Sequence, residues 1–171
     1  MALEIERKFL VVDQSWRALT ADGRHILDHL IARFDLGKAR IRVCDNTTTL
    51  TIKSARRGFS RSEYHIELTE ADGQAMIADF ARSPGLEKSR YEIRVNDVVW
   101  QVDEYLGPLL GLVTADVELP SEDHHFDKPD WVGEEITGDS RYSSSTLSAA
   151  VEAVRLMPDP KLEASGETRR G

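Results

Sequence analysis

Glu4, Glu6 and Lys8 alternate with Ile5 and Arg7 near the start of the chain. Successive side chains of an extended strand point to opposite faces, so these three share one face while Leu3, Ile5, Arg7, Phe9 and Val11 share the other. Two carboxylates beside an ammonium can hold a hard divalent cation next to an anion. The same phase recurs: Arg40 with Arg42, Thr51 with Lys53, and Arg61, Glu63, His65 with Glu67. Further on, Lys88, Arg90, Glu92 and Arg94 alternate, Asp103 follows Gln101, and Asp116 is in phase with Glu118.

A charged face on one strand is ordinarily a solvated face. Here Arg, Lys, Asp and Glu recur on strand after strand where water-facing positions would include more Thr, Ser, Gln and Asn, and the opposite positions are strongly apolar. Arginine and lysine around a lumen match phosphate oxygens, arginine in a forked geometry. The carboxylates would repel a phosphate chain unless divalent cations stood between, and an oxygen-rich set suits Mg²⁺ or Mn²⁺. The pattern therefore implies a metal-bridged polyphosphate.

Those side chains need strands to hold them. Period-two segments are predicted near 3–11, 24–34, 38–45, 48–54, 60–68, 87–95, 98–105 and 113–119, joined by turns such as Asp45-Asn46 and Asn96-Asp97. A helix is predicted from about 70 to 82, started by Thr69 and Asp72 and stopped by Pro84-Gly85, with Met76, Ile77, Phe80 and Ala81 as its apolar face. A second runs from about Ser144 to Leu156, with Leu147, Ala150, Val151 and Val154 at helical spacing. If the helices cover the apolar side of the sheet, the charged side becomes the interior. The fold class is α+β, mainly β: an eight-stranded antiparallel barrel, or tunnel, with a charged lumen and helices packed outside. One domain is expected over residues 1–157, followed by a polar, disordered tail over 158–171.

Composition narrows the function classes. The 171 residues are 40% hydrophobic and 30% charged with a formal net charge of −8, which disfavours nonspecific binding to nucleic acid or anionic membrane. Cys44 is the sole cysteine and has no intrachain partner, and acidic residues occupy the start where a signal peptide would be apolar. A cytoplasmic protein without a membrane anchor is expected.

The residues also resemble the CYTH or triphosphate tunnel metalloenzyme family, whose Glu-x-Glu-x-Lys signature stands as Glu4-Ile5-Glu6-Arg7-Lys8. The resemblance continues in family order through Ala39-Arg40-Ile41-Arg42-Val43, Leu50-Thr51-Ile52-Lys53, Arg61-Ser62-Glu63-Tyr64 and Glu87-Lys88-Ser89-Arg90-Tyr91. It runs on through Trp100 to Tyr105 with Gly107, Asp116-Val117-Glu118-Leu119, and Glu135 to Tyr142. The resemblance implies an eight-stranded tunnel, a divalent metal and triphosphate substrates. It implies Glu4, Glu6, Asp103, Asp116 and Glu118 as metal carboxylates, and Lys8, Arg40, Arg42, Lys53, Arg61, Lys88 and Arg90 as holders of phosphate. Lys8, Glu63 and Glu67 become the catalytic set, the glutamates supporting or positioning water. Three positions depart from the family pattern: His65 replaces a glutamate, Asp116 is one methylene shorter than glutamate, and Leu30 or Ile31 falls near an aromatic position.

Other signals carry less. Adjacent His124 and His125 fit no zinc spacing, Trp16, Trp100 and Trp131 read as packing residues, and Cys44 lacks a histidine at nucleophile spacing. The expected activity is metal-dependent hydrolysis of inorganic triphosphate or a related triphosphate or polyphosphate. The alternatives are adenylate cyclisation, a thiamine or nucleoside triphosphatase, and a noncatalytic polyphosphate-binding module. A homodimer stays open as an assembly state.

Overall fold

Opposite charges face each other across neighbouring strands, and this pairing sets the register of the fold. The computed structural model describes residues 2–156, so the tail expected over 158–171 lies outside the described residues. Strands form over Ala2–Val11 (β1), Arg24–Phe34 (β2), Gly37–Cys44 (β3), Thr47–Ser54 (β4), Ser60–Leu68 (β5), Leu86–Val95 (β6), Val98–Tyr105 (β7), Val113–Glu118 (β8) and Val132–Glu135 (β9). They follow the order β5-β4-β3-β2-β6-β7-β8-β1-β9, and β5 also pairs with β1, closing eight strands into a ring. Glu4 lies opposite Arg61, Lys8 opposite Asp116, Asp28 opposite Arg42, Lys53 opposite Glu63 and Arg90 opposite Asp103. Each such pair stabilises its register and penalises a slip of one residue.

The ninth strand was not expected. β5 occupies the edge of β1 only along Ala2 to Ile5, and β9 takes over where Phe9 meets Glu135 and Val11 meets Val132. Asp45 and Asn96 adopt left-handed backbone (φ 51° and 53°) in the two-residue turns after β3 and β6, where short polar side chains tolerate that conformation.

Two helices form, α1 over Glu70–Phe80 and α2 over Ser144–Leu156; α2 does not pack outside the barrel as expected, since its Leu147 and Val151 meet Leu86 and Tyr105 and its Ser144 joins them on the lumen lining. Thr69 caps α1 by accepting from the Asp72 amide. Gly73 is buried there, and its lack of a side chain admits β4, since a Cβ would lie 2.3 Å from Thr48 Cγ2. The expected apolar faces are only partly covered: Phe80 is 56% exposed and Val154 50% exposed, while Leu147, Ser148 and Val151 carry the buried stripe of α2. Nor do the helices cover the main core. That core lies on the outer wall of β1, β6, β7 and β8, where Phe9, Ile93, Trp100, Val102, Ala115 and Val117 pack under Trp16 and Trp131. Trp16 belongs to a 3₁₀ turn (Ser15–Leu19), and Trp131 with Phe126 comes from the segment between β8 and β9. α2 instead closes a smaller cluster with Leu86, Tyr105, Leu147 and Val151. No helix among the described residues is long and apolar enough to cross a membrane.

Trp100 anchors the larger core, with edge-to-face contacts to Phe9 at 5.5 Å, Phe126 at 5.6 Å and Trp131 at 5.8 Å between ring centroids. Trp100→Ala is expected to lower unfolding free energy by about 3–5 kcal/mol through the cavity left behind. Urea denaturation checks it: the midpoint should fall with an unchanged slope, and an unchanged midpoint would contradict this assignment of the core.

Candidate functional site

The strand alternation that buries Phe9 and Trp100 on the outside turns Glu4, Glu6, Lys8 and their counterparts inward. They line a cavity of about 450 Å³ along the ring, with nine lysine and arginine side chains and seven carboxylates on its wall. So many ions out of bulk water cost several kcal/mol each unless compensated, and nearly all are compensated in pairs.

Asp28 holds the first group of cations. Its carboxylate accepts from Arg42 Nε at 2.8 Å and Nη2 at 2.9 Å and from Arg40 Nη1 at 3.1 Å, with Lys88 Nζ at 3.5 Å. Burial alone would raise its pKa, but Arg40, Lys88 and Arg42 together hold it well below the ordinary aspartate range. Asp103 holds the second group: Lys88 Nζ donates to it at 2.6 Å, and Arg90 Nε and Nη2 at 2.6 and 2.7 Å. Lys88 is nonetheless lowered to about 8, because burial outweighs Asp103. Lys8 Nζ donates to Asp116 at 2.8 and 3.0 Å. Burial would lower the Lys8 pKa, yet Asp116, with Glu6 and Asp103, raises it overall, so this ammonium stays charged.

The other wall is acidic. Glu4 accepts from Lys53 at 2.8 Å and from Arg61, while Glu6 meets Arg56 at 3.2 Å and Arg61 at 3.6 Å. Glu63 accepts from Lys53 at 2.9 Å and is held at about 2; burial opposes this, and contacts with Glu4 and Lys53 outweigh it. Glu118 differs from all of these. Carboxylate oxygens of Glu4, Glu6 and Glu118 lie within 4.8 Å of one another, and Glu118 has no ion-pair partner among the described residues. Glu118 stands at the solvent-exposed side of this cluster, and its pKa is raised by partial burial and then by the neighbouring Glu4, Glu6 and Glu63.

Most of the expected site residues are thus brought together: Glu4, Glu6, Lys8, Arg40, Arg42, Lys53, Arg61, Glu63, Lys88, Arg90, Asp116 and Glu118 all line the lumen. Two do not. Asp103 is wholly buried behind Lys88 and Arg90, which occupy both of its oxygens, and it is absent from the lining. Glu67 is exposed and off the lining, because β5 runs past the end of the cavity while keeping its phase. His65 does face the lumen, 3.4 Å from Glu63 and 3.2 Å from the Thr51 hydroxyl. Asp28, Lys38 and Arg56 line the lumen without having been singled out; Lys38 could have been found two residues before Arg40, in phase. His124 pairs with Asp97 at 3.0 Å.

A ring of antiparallel strands around opposed basic and acidic walls defines a tunnel protein with a charged lumen. The CYTH domain family matches residues 2–151, and the chain belongs to that family. A similar protein from Acetivibrio thermocellus, named inorganic triphosphatase, is 38% identical over 148 residues, covering 86% of this chain and 94% of its own. Another of that name from Nitrosomonas europaea is 33% identical over 156 residues, covering 86% and 98%. A crystal structure of an inorganic triphosphatase superposes with a TM-score of 0.59 at 29% identity, covering 86% of this chain and 95% of that one.

Asp28→Asn is expected to leave Arg40 and Arg42 without their counter-charge beside Lys88, which keeps Asp103, at a cost of about 3–5 kcal/mol. The depressed pKa of Asp28 means that its stabilisation is complete above the ordinary value of 3.8 and is lost as pH falls below it. Urea denaturation against pH should show the variant less stable at neutrality and lacking part of the acid transition, with sulfate restoring some stability. Equal stability of variant and wild type at neutral pH would show that Asp28 does not organise these cations.

Proposed function

We propose that this chain hydrolyses inorganic triphosphate with a divalent cation, Mg²⁺ or Mn²⁺, held at Glu4, Glu6 and Glu118. The observation that carries this reading is the acidic cluster set against a basic wall inside one closed lumen. Three carboxylates with converging oxygens form a hard-donor set, and Glu118 is without a cationic partner, so the residues fit such an ion. When bound, it supplies positive charge that offsets the phosphate chain and polarises a phosphoryl oxygen or water.

The chain's own groups do the rest. Arg40, Arg42, Lys88 and Arg90 are fixed by Asp28 and Asp103, so they need little reorganisation to receive phosphate oxygens. Lys8, kept charged by Asp116, is placed to stabilise the transferring group, and Glu63 to orient water. Phosphoryl transfer depends on positioning and charge neutralisation, and no nucleophilic side chain is required. Charge alone also disfavours a pure binding module, which would need cations but not the Glu4–Glu6–Glu118 cluster. Inorganic triphosphate is preferred over a nucleotide or thiamine ester because sixteen side chains on the lining are ionic, and its apolar and aromatic side chains are only Leu86, Ile136, Tyr105 and Tyr142. The names of the relatives support the same substrate.

Orthophosphate release from triphosphate, pyrophosphate, ATP and thiamine triphosphate, each with Mg²⁺ and Mn²⁺, tests the substrate. Triphosphate should be preferred; cyclic AMP formation from ATP as the main reaction would overturn the reading. Glu118→Gln probes the ion without breaking an ion pair. Turnover should fall by about 100-fold or more, as loss of a charged ligand weakens metal. Stability without metal should rise slightly at neutral pH, because the raised pKa of Glu118 shows its ionised form to be disfavoured in the fold. Full activity at limiting metal would make Glu118 a bystander.

A further inference from the structure

We propose that Lys38 is a substrate-positioning residue, its ammonium taking a phosphoryl oxygen in place of the carboxylate that it lacks. The inference rests on the triphosphatase reading and extends it to a residue outside the motifs that carry the family resemblance. Lys38 lies opposite Lys53 in the β3–β4 register and faces the lumen with Arg40 and Arg42. Among the described residues, every other lysine and arginine on the lining has a carboxylate within 4.0 Å. Lys38 has only the Ser144 hydroxyl, at 2.5 Å, in the first turn of α2. That end of a helix carries partial positive charge, which favours an anion and not a second cation.

The charges around Lys38 point the same way. Arg61 on β5, Lys53 on β4 and Arg40 on its own strand repel the ammonium, and Glu6 on β1 attracts it. Burial first, and then those three cations, lower its pKa to about 7. A phosphate anion would reverse the balance and favour the protonated form. Triphosphate binding should therefore take up protons at Lys38, and affinity should weaken as pH rises above the pKa of the free protein, as Lys38 must then be charged at a cost.

The test compares wild type with Lys38→Met and Lys38→Arg. Inorganic triphosphate with Mg²⁺ is titrated calorimetrically in buffers of different ionisation heat, and KM and kcat are measured between about pH 6 and pH 9. Lys38→Met should raise KM by about tenfold or more near neutral pH, with a smaller change in kcat, and reduce proton uptake. Lys38→Arg, charged throughout, should recover affinity, lose the same proton uptake and flatten the alkaline rise in KM. Wild-type KM and proton uptake in Lys38→Met would overturn the proposal while leaving the triphosphatase reading in place. Failure of the wild type to bind or cleave triphosphate would overturn both.

Discussion

Charge buried in a closed barrel must be compensated, and that requirement organises this protein. Sixteen ionic side chains line one cavity, and hydration lost there is replaced by other charges. The compensation is built into the sheet: antiparallel register sets Lys8 against Asp116, Asp28 against Arg42 and Lys53 against Glu63. A slip of one residue would turn these groups outward and bring Phe9 and Trp100 into the lumen. The outer aromatic wall and the inner ion pairs therefore enforce the same alignment from opposite faces.

Compensation is incomplete at two places, and the proposed metal and phosphate contacts fall there. Glu118 is an anion crowded by Glu4 and Glu6, and Lys38 is a cation crowded by Arg40, Lys53 and Arg61. Elsewhere the fold uses its own counter-ions to hold functional groups rigid. Asp103 illustrates the division. Its two oxygens are spent on Lys88 and Arg90, which fixes the direction in which those cations face. Buried behind those cations and off the lining, Asp103 aims them, whereas Glu4 and Glu6, though also paired, stand on the lumen beside the unpartnered Glu118.

Much of this was legible in the sequence because a strand has a period of two, and a charged face repeated over many strands has few folded solutions. The eight strands of the ring, the inward Glu4-Glu6-Lys8 row and the Asp45 and Asn96 turns all follow from local pattern. What escaped has physical reasons. β9 is only four residues long, too short to show alternation. Asp28 sits in a strand where Arg24, Ile26, Asp28 and Leu30 mix charged and apolar residues on one face. Arg56 reaches Glu6 from the connection after β4, where no periodicity applies. Period also says nothing about depth: Glu67 keeps the lumen phase but lies beyond the cavity, and Asp103 keeps it but lies behind two cations. The helices were placed correctly along the chain, yet the main core is covered by Trp16 and Trp131, whose contacts come from long-range folding.

Anomalous diffraction from crystals soaked in Mn²⁺ with a nonhydrolysable triphosphate analogue tests the central claim most directly, since it locates the ion without relying on turnover. The expected result is Mn²⁺ bound among the carboxylates of Glu4, Glu6 and Glu118, with the analogue between it and the basic wall, and Asp103 still engaged with Lys88 and Arg90. Mn²⁺ coordinated by Asp103, or an analogue bound in the lumen with no ion at the glutamate cluster, would contradict the assignment of the ion to Glu4, Glu6 and Glu118.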